Sequence, residues 1–146
     1  MIVVGVDGSK GGEAALEFAA AEAALRETGL RIASAWDVPT AAYGGGFAPP
    51  IDPATWDALR VRAEEVADEA AAAVKKHHPA VEVEARAVAG QAAVVLLEHA
   101  SDAELIVVGR RGLGGFTRLL LGSVSQQVVH HATCPVVVVN QPESSG

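Results

Sequence analysis

The sequence has one cysteine and no long apolar run, and each of these shortages excludes a class of protein. Cys134 has no second cysteine for an internal disulfide, which is typical of proteins from reducing compartments. No apolar run approaches the length of a membrane-spanning helix. The first residues show neither the basic lead nor the cleavage site of a secretion signal. We therefore expect a cytoplasmic protein that binds no membrane.

Basic residues are also scarce. The chain holds 11 Lys and Arg against 18 Asp and Glu, which gives a net charge of −7. An acidic chain is a poor partner for nucleic acids, so we expect none. Its 146 residues suffice for one domain with a full hydrophobic core. We expect that domain over residues 1–140, with residues 141–146 as a disordered tail.

What the chain does contain is an alternation of apolar runs and Ala-rich segments. The apolar runs predict strands at 2–6, 30–36, 104–109 and 135–139, and the alternation of apolar and charged residues at 81–88 predicts an edge strand. The segments between them predict helices at 12–28, 52–76, 91–100 and 123–132, and residues 37–51 form a long loop. Ser9 is the expected cap of the first helix and Gly29 its expected stop, while Asp52 and Pro53 mark the start of the second. This order predicts an α/β fold with a parallel sheet between two layers of helices.

A glycine-rich loop follows the fourth strand, in the sequence LIVVGRRGLGGFTRLLLGS. Ligands of open α/β sheets bind beyond the carboxyl ends of the strands, and glycines let backbone amides approach an anion closely. The segment between Glu104 and Glu143 contains no acid, although four or five would be expected at the chain's average density. Arg110, Arg111 and Arg118 all lie in it. These features favour a small anion, and phosphate is the first candidate.

Two structural explanations compete with a phosphate site. Glycines in such loops often serve only as turns, and the spacing of Ser123 and Gln126 fits a capping box, in which Ser123 caps the last helix without any ligand. Two histidine pairs, His77-His78 and His130-His131, have no cysteine or carboxylate cluster beside them, so we predict no metal site formed by protein side chains alone.

The arrangement of motifs resembles the universal stress protein family over nearly the whole chain. Gly109-x-x-Gly112, nine residues and then Gly122-Ser123 is similar to the family's nucleotide-binding signature. The opening IVVGVDGS and the closing HATCPVVVV are similar to its first and last strands. The resemblance implies a Rossmann-like domain with about four helices and the strand order 3-2-1-4-5, in which strands one and four end side by side.

The resemblance also implies a ligand, ATP with Mg²⁺, and a set of residues that hold it. The acid at Asp7 would hold the nucleoside, Ala35 and Val108 would line the adenine, and the glycines would lie along the phosphates. Arg110 stands where a small polar residue is usual in the family. The complete expected set is Asp7, Ala35, Val108, Gly109, Arg110, Gly112, Gly122, Ser123 and Val124.

Three functions remain open at this point. The first is a nucleotide-binding regulator of the stress response, and the second is a slow ATP hydrolase, for which we find no Walker A motif and predict no catalytic residue. The third is a dimeric interaction protein without a nucleotide. The valine run at residues 135–139 would leave an apolar sheet edge, so we expect a homodimer through this strand, as the resemblance also implies.

Overall fold

A computed structural model describes residues 1–37, 51–110 and 121–141. Within these ranges the chain alternates strictly between strands and helices. In chain order they are β1 (Ile2–Gly5), α1 (Lys10–Leu25), β2 (Leu30–Trp36), α2 (Pro53–His77), β3 (Val83–Ala89), α3 (Ala92–His99), β4 (Leu105–Gly109), α4 (Ser123–His131) and β5 (Val136–Val139). The predicted tail from residue 142 onward, and most of the predicted loop at 37–51, lie outside the described residues.

All five strands are parallel and form one sheet in the order β3-β2-β1-β4-β5. The α/β class and the strand order 3-2-1-4-5 are therefore confirmed. Strand β1 lies at the centre, where Val4 pairs with Ile32 of β2 on one side and with Val107 of β4 on the other. The order of the strands reverses at the β1–β4 pair, which is where such sheets bind ligands.

The central strands are buried on both faces, as their continuous apolar runs predict. Helices α1 and α2 cover one face and pack against side chains such as Ile2, Val4 and Ile32. Helices α3 and α4 cover the other face and pack against Val3 and Ile106. Small side chains dominate the buried stripe of α1, which brings its backbone close to the sheet; they are Gly11, Gly12, Ala15, Ala19, Ala20 and Ala23.

The ends of two helices test the predictions of caps. Helix α2 begins as predicted, with the Asp52 side chain accepting a hydrogen bond from the Thr55 amide at 2.7 Å. Helix α1 ends earlier than predicted, at Leu25, so the prediction of Gly29 as its stop is wrong. Glu27 adopts the left-handed conformation instead, with φ of 54°. The Thr28 amide then donates a hydrogen bond to the Ala23 carbonyl, which completes the end of the helix.

Strand β5 forms one edge of the sheet, and each of its four valines is half-buried. Val137 and Val139 pack toward the α1 side, whereas Val136 and Val138 pack toward the α3 and α4 side. The backbone of this strand pairs with β4 on one side only among the described residues. The predicted apolar edge is thus present, with side chains that the chain's own helices cover only in part.

Candidate functional site

The carboxyl ends of β1 and β4 lie side by side at the centre of the sheet. The two strands pair in register from Ile2 with Leu105 to Val4 with Val107. The chain therefore leaves β1 through Asp7 and leaves β4 through Gly109 and Arg110 at the same edge. The structure thus brings together the ends of the two strands that sequence reasoning assigned to one ligand.

The turn between β1 and α1 is held by its own side chains. One carboxylate oxygen of Asp7 accepts hydrogen bonds from both the amide, at 2.9 Å, and the hydroxyl of Ser9. The Ser9 hydroxyl oxygen in turn accepts the Gly12 amide at 3.1 Å, so Ser9 caps α1 as predicted. Gly8 supplies the left-handed conformation of this turn, with φ of 83°. Asp7 therefore shapes the turn, and its side chain is also exposed at the strand end.

The start of α4 is bound to the end of β4 through backbone groups. The Arg110 carbonyl accepts hydrogen bonds from the Gly122 amide at 2.7 Å and from the Ser125 hydroxyl at 3.0 Å. The Arg110 amide donates to the Val139 carbonyl of β5 at 2.9 Å. Twelve positions apart in the chain, Arg110 and Gly122 are therefore in direct contact. The end of β4 at Arg110 therefore meets the start of α4 at Gly122 through the backbone.

The N-cap of helix α4 makes no side-chain hydrogen bond to the first turn of the helix. Its N-cap is Gly122, so the interpretation of Ser123 as the cap of a capping box is wrong. Ser123 is the first helical residue and is exposed, and the first hydrogen bond inside the helix runs from the Gln126 amide to the Gly122 carbonyl. The amides of the first three helical residues precede that bond and point out of the helix end. This is the geometry in which helices bind anions.

Gly109 has a steric role that the sequence pattern did not reveal. A Cβ atom at this position would lie 2.7 Å from the carbonyl oxygen and 2.8 Å from the carbonyl carbon of Gly11 in α1. Backbone therefore meets backbone where β4 ends, and only a glycine fits. Gly109 is required by packing whether or not a phosphate lies beside it. Gly112, together with Arg111 and Arg118, lies outside the described residues.

The two residues expected to line an adenine lie on the same face of the sheet. Ala35 of β2 is half-buried, and Val108 of β4 is 3% exposed; both pack in the core on the α3 and α4 side. Val124, in the first turn of α4, is half-buried against the same core. Strand β1 separates the strands of Ala35 and Val108, so the two side chains bracket its end.

Sequence reasoning missed two residues at this edge, Ser125 and Arg62. Ser125 is almost fully buried and ties α4 to β4, although the repeated Ser in GSVS is a signal that could have found it. Trp36 and Trp56 pack edge to face, with ring centroids 5.4 Å apart, and join the end of β2 to the first turn of α2. Arg62 of α2 reaches over the β1–α1 turn to Gly8, and no local pattern in the sequence announces it.

The described ranges contain neither a cluster of metal-binding side chains nor a helix able to span a membrane. Within residues 1–37, 51–110 and 121–141, no group of three or more His, Cys, Asp or Glu side chains is placed to hold a metal ion. In the same ranges, no helix combines the length and the apolar character that crossing a bilayer requires.

Comparison with known proteins adds independent information. A model of the universal stress protein family matches residues 1–140. A universal stress protein of Mycolicibacterium smegmatis is 40% identical over 139 residues, which cover 94% of this chain and 45% of the relative. The chain thus spans less than half the length of such curated relatives.

Two solved structures of similar length are informative about ligands. A universal stress protein in complex with cAMP is 28% identical, with a TM-score of 0.71 and 96% of each chain covered. The universal stress protein from Archaeoglobus fulgidus in complex with dAMP is 26% identical, with a TM-score of 0.65 and 94% of each chain covered.

Proposed function

The chain belongs to the universal stress protein family, and from that premise we propose that it is a regulatory protein of the stress response that binds ATP with Mg²⁺ between the ends of β1 and β4. The observation that carries the proposal is the surface formed by Arg110, Gly122 and the first turn of α4. Its backbone amides lie at a helix start in a segment without acids. Such a surface favours phosphate over other groups.

The proposed contacts follow the order of the ligand's parts. Ala35 and Val108 line the adenine, Asp7 holds the nucleoside, and Gly109, Arg110 and Gly112 follow the phosphates. Gly122, Ser123 and Val124 receive the terminal phosphates through the amides of the α4 first turn. Mg²⁺ binds proteins through one or two carboxylates together with substrate phosphates, and Asp7 supplies an exposed carboxylate at the end of β1.

Relatives support an adenine nucleotide as the class of ligand. The cAMP and dAMP complexes are those of two proteins that cover nearly all of this chain. Each ligand is an adenine nucleotide with a single phosphate. We propose ATP for this chain because its glycine spacing resembles the family's nucleotide-binding signature, and because the first three helical amides of α4 point out of the helix start, where they can receive terminal phosphates.

We further propose a homodimer through β5, residues 135–139. The half-buried valines, and the side of this strand that pairs with no described residue, suit an association surface, and a two-fold pairing of such edges would cover both copies. Light scattering of the purified chain at micromolar concentration tests it. A mass of twice 14.9 kDa is expected, and a monomer would contradict the dimer without affecting nucleotide binding.

The proposal of a regulator also has a kinetic test. A dedicated ATP hydrolase would turn over at about 1 s⁻¹ or faster, an ordinary enzyme rate. We expect phosphate release from Mg-ATP far below that rate, in a cytoplasmic protein that acts through binding. A rate of that order that is lost in a Gly122→Val variant would show that the protein is an enzyme and would contradict the proposal of a regulator.

The decisive experiment measures the ligand directly. The protein is purified, denatured, and the released small molecules are chromatographed; calorimetric titration of the stripped protein with Mg-ATP follows. We expect a bound adenine nucleotide, or micromolar affinity typical of nucleotide binders. Gly122→Val should abolish binding, because its side chain would cover the start of α4, whereas the control Thr133→Val beyond the end of α4 should bind normally. An empty protein that also fails to bind Mg-ATP would favour the nucleotide-free interaction protein.

A further inference from the structure

A groove runs between α1 and α2, on the opposite face of the sheet from Ala35 and Val108. Helix α1 packs mainly on β1 and β4, whereas α2 packs mainly on β2 and β3, so the two helices leave a cleft between them. This α1–α2 groove has a volume of about 540 Å³, with walls that run from Ser9 to Ala20 and from Arg62 to His77. At the rise of an α-helix, the α2 wall is about 22 Å long.

The floor of the α1–α2 groove is apolar. It is formed by Val6 at the end of β1, by Leu16 of α1, and by Val66, Ala70 and Val74 of α2. All five are buried, with at most 8% of the residue exposed. A long apolar floor between polar walls is the form of surface that buries a row of apolar side chains.

The rims of the α1–α2 groove carry carboxylates that the chain itself does not neutralise. Glu13 and Glu17 on α1 and Glu69 on α2 are exposed, and none of the three makes an ion pair with any described residue. Glu13 and Glu17 also lie one turn apart on α1, a spacing at which like charges destabilise a helix. By contrast, Glu22 and Glu64, which do not line the groove, each pair with an arginine one turn away.

The charges of the α1–α2 groove define the chemistry that complements it. Arg62 lies at one end of the groove, where it pairs with Glu65 at 3.8 Å, and His77 and His78 lie at the other end. The three unpaired carboxylates lie between these ends and on both walls. A complementary partner therefore has an apolar row with basic side chains on both sides of it. A small amine would meet the carboxylates but leave the apolar floor uncovered.

The walls of the α1–α2 groove favour a helix over an extended peptide. Both walls are helices, whose backbone groups are already hydrogen-bonded internally, so an extended peptide would find no backbone partner there. A helix satisfies its own backbone and presents apolar side chains on one face. A second copy of this chain would bring the same acidic face, so it is a poor occupant.

We propose that the α1–α2 groove is a docking site for a basic amphipathic helix of a partner protein. Apolar side chains at i, i+4, i+7 and i+11 of that helix enter the groove, and Lys or Arg side chains beside them meet Glu13, Glu17 and Glu69. Because the groove and the residues proposed to line an adenine lie on opposite faces of the sheet, this inference does not rest on nucleotide binding.

The probe is a fluorescently labelled peptide of about 15 residues, enough for a helix of about 22 Å. It has Leu in the apolar row, Lys on both sides of the row and Ala elsewhere. Fluorescence anisotropy measures its binding to the purified chain, and we expect a dissociation constant in the micromolar range. The same peptide with Glu in place of Lys should not bind. Absence of binding by the Lys peptide up to about 1 mM would overturn the proposal.

One pair of variants tests the charges. Glu17→Gln combined with Glu69→Gln removes one carboxylate from each wall and should weaken the Lys peptide about ten-fold. Glu22→Gln combined with Asp68→Asn is the matched control, because it also removes one negative charge from each helix but outside the groove. The control should change the affinity by less than about two-fold. Equal losses would show that the peptide responds only to the net charge of the chain, and thermal unfolding confirms that each variant is folded.

A second pair of variants tests the groove without changing any charge. Ala73 and Ala72 are neighbours on α2 and both are exposed, but only Ala73 lines the groove. Ala73→Tyr should weaken the Lys peptide about ten-fold because its ring would fill the groove, whereas Ala72→Tyr should change the affinity by less than about two-fold. Equal affinities of the two variants would refute docking in the groove. Displacement of the peptide by an equal concentration of spermine would overturn the helix in favour of a small amine.

Discussion

Helices α1 and α4 both begin at the carboxyl edge of the sheet, yet their first turns are completed in opposite ways. The start of α1 is covered by its own side chains, because the Ser9 hydroxyl accepts the Gly12 amide and Asp7 holds Ser9. The start of α4 has the cap Gly122, which has no side chain, and its described hydrogen bonds to the rest of the fold come from backbone groups and the buried Ser125.

This difference explains where an anion can bind. A carboxylate beside the start of α1 already interacts with the partial positive charge of that helix, a contribution of about 0.3–1 kcal/mol in exposed positions. A phosphate placed there would meet the charge of Asp7. At α4 no acid lies nearby in the chain, and Arg110 adds a positive charge. Of the two helix starts, α4 is therefore the one left for a ligand.

The largest effect is expected at Gly109, where the end of β4 meets the first turn of α1. Gly109→Ala would force a methyl group into the Gly11 backbone, and we expect a loss of about 2 kcal/mol in the free energy of unfolding, measured by urea denaturation. Gly29→Ala is the control, because there the nearest atoms belong to the flexible Met1 side chain at 3.1 Å. Equal losses in the two variants would mean that β4 and α1 can separate without cost.

A smaller effect compares the two serines directly. Ser9→Ala removes the cap of α1 and should lower the free energy of unfolding by about 1 kcal/mol, whereas Ser123→Ala removes no cap and should change it by less than about 0.5 kcal/mol. If the proposed function is correct, Ser123→Ala lowers the affinity for Mg-ATP about five-fold while leaving the stability nearly unchanged.

These two measurements use urea denaturation for stability and calorimetry for binding. Equal stability losses at Ser9 and Ser123 would contradict the difference between the helix starts. A Ser123→Ala variant with undiminished affinity would leave the amides of α4, and not its hydroxyl, as the contact with phosphate.

The fold could be predicted because its signals are local or shared with a known family. Apolar runs identified four strands and an alternating pattern identified β3, while Asp52 followed by Pro53 identified the start of α2 within one residue. The strand order came from the family resemblance, since the spacing of runs along a chain does not fix which strands are neighbours. The end of α1 was missed because Glu27, an unusual residue for a left-handed position, takes the place in which glycine was expected.

The site could be predicted less fully, because its contacts join residues far apart in the chain. The clash that requires Gly109 is with Gly11, almost one hundred positions earlier, and Arg62 meets Gly8 across more than fifty positions. Local patterns contain no trace of either contact. The mistaken cap at Ser123 has a different cause. The sequence Gly-Ser-x-x-Gln is compatible both with a capping box at Ser123 and with a cap at Gly122, and only the backbone conformation distinguishes the two.

The smallest expected effect concerns a third helix start, that of α2, which is capped by the carboxylate of Asp52. Hydrogen bonds from the Thr55 side chain, and then from its amide, hold the pKa of Asp52 below its ordinary value of 3.8. A lowered pKa means that the folded state favours the charged form, so the cap stabilises fully above that ordinary value and is lost as the pH falls through the lower folded pKa.

Asp52→Asn keeps a capping oxygen but removes the titration. We expect the difference in the free energy of unfolding between the unchanged chain and Asp52→Asn to be constant above about pH 5 and to shrink below the ordinary pKa of Asp52. Urea denaturation from neutral pH down to about pH 2.5 measures it. Asp57→Asn, on the same helix but not at its cap, is the control. A difference that stays constant throughout this range would show that the charge of Asp52 does not stabilise α2, and that the three helix starts differ only in where their hydrogen bonds come from.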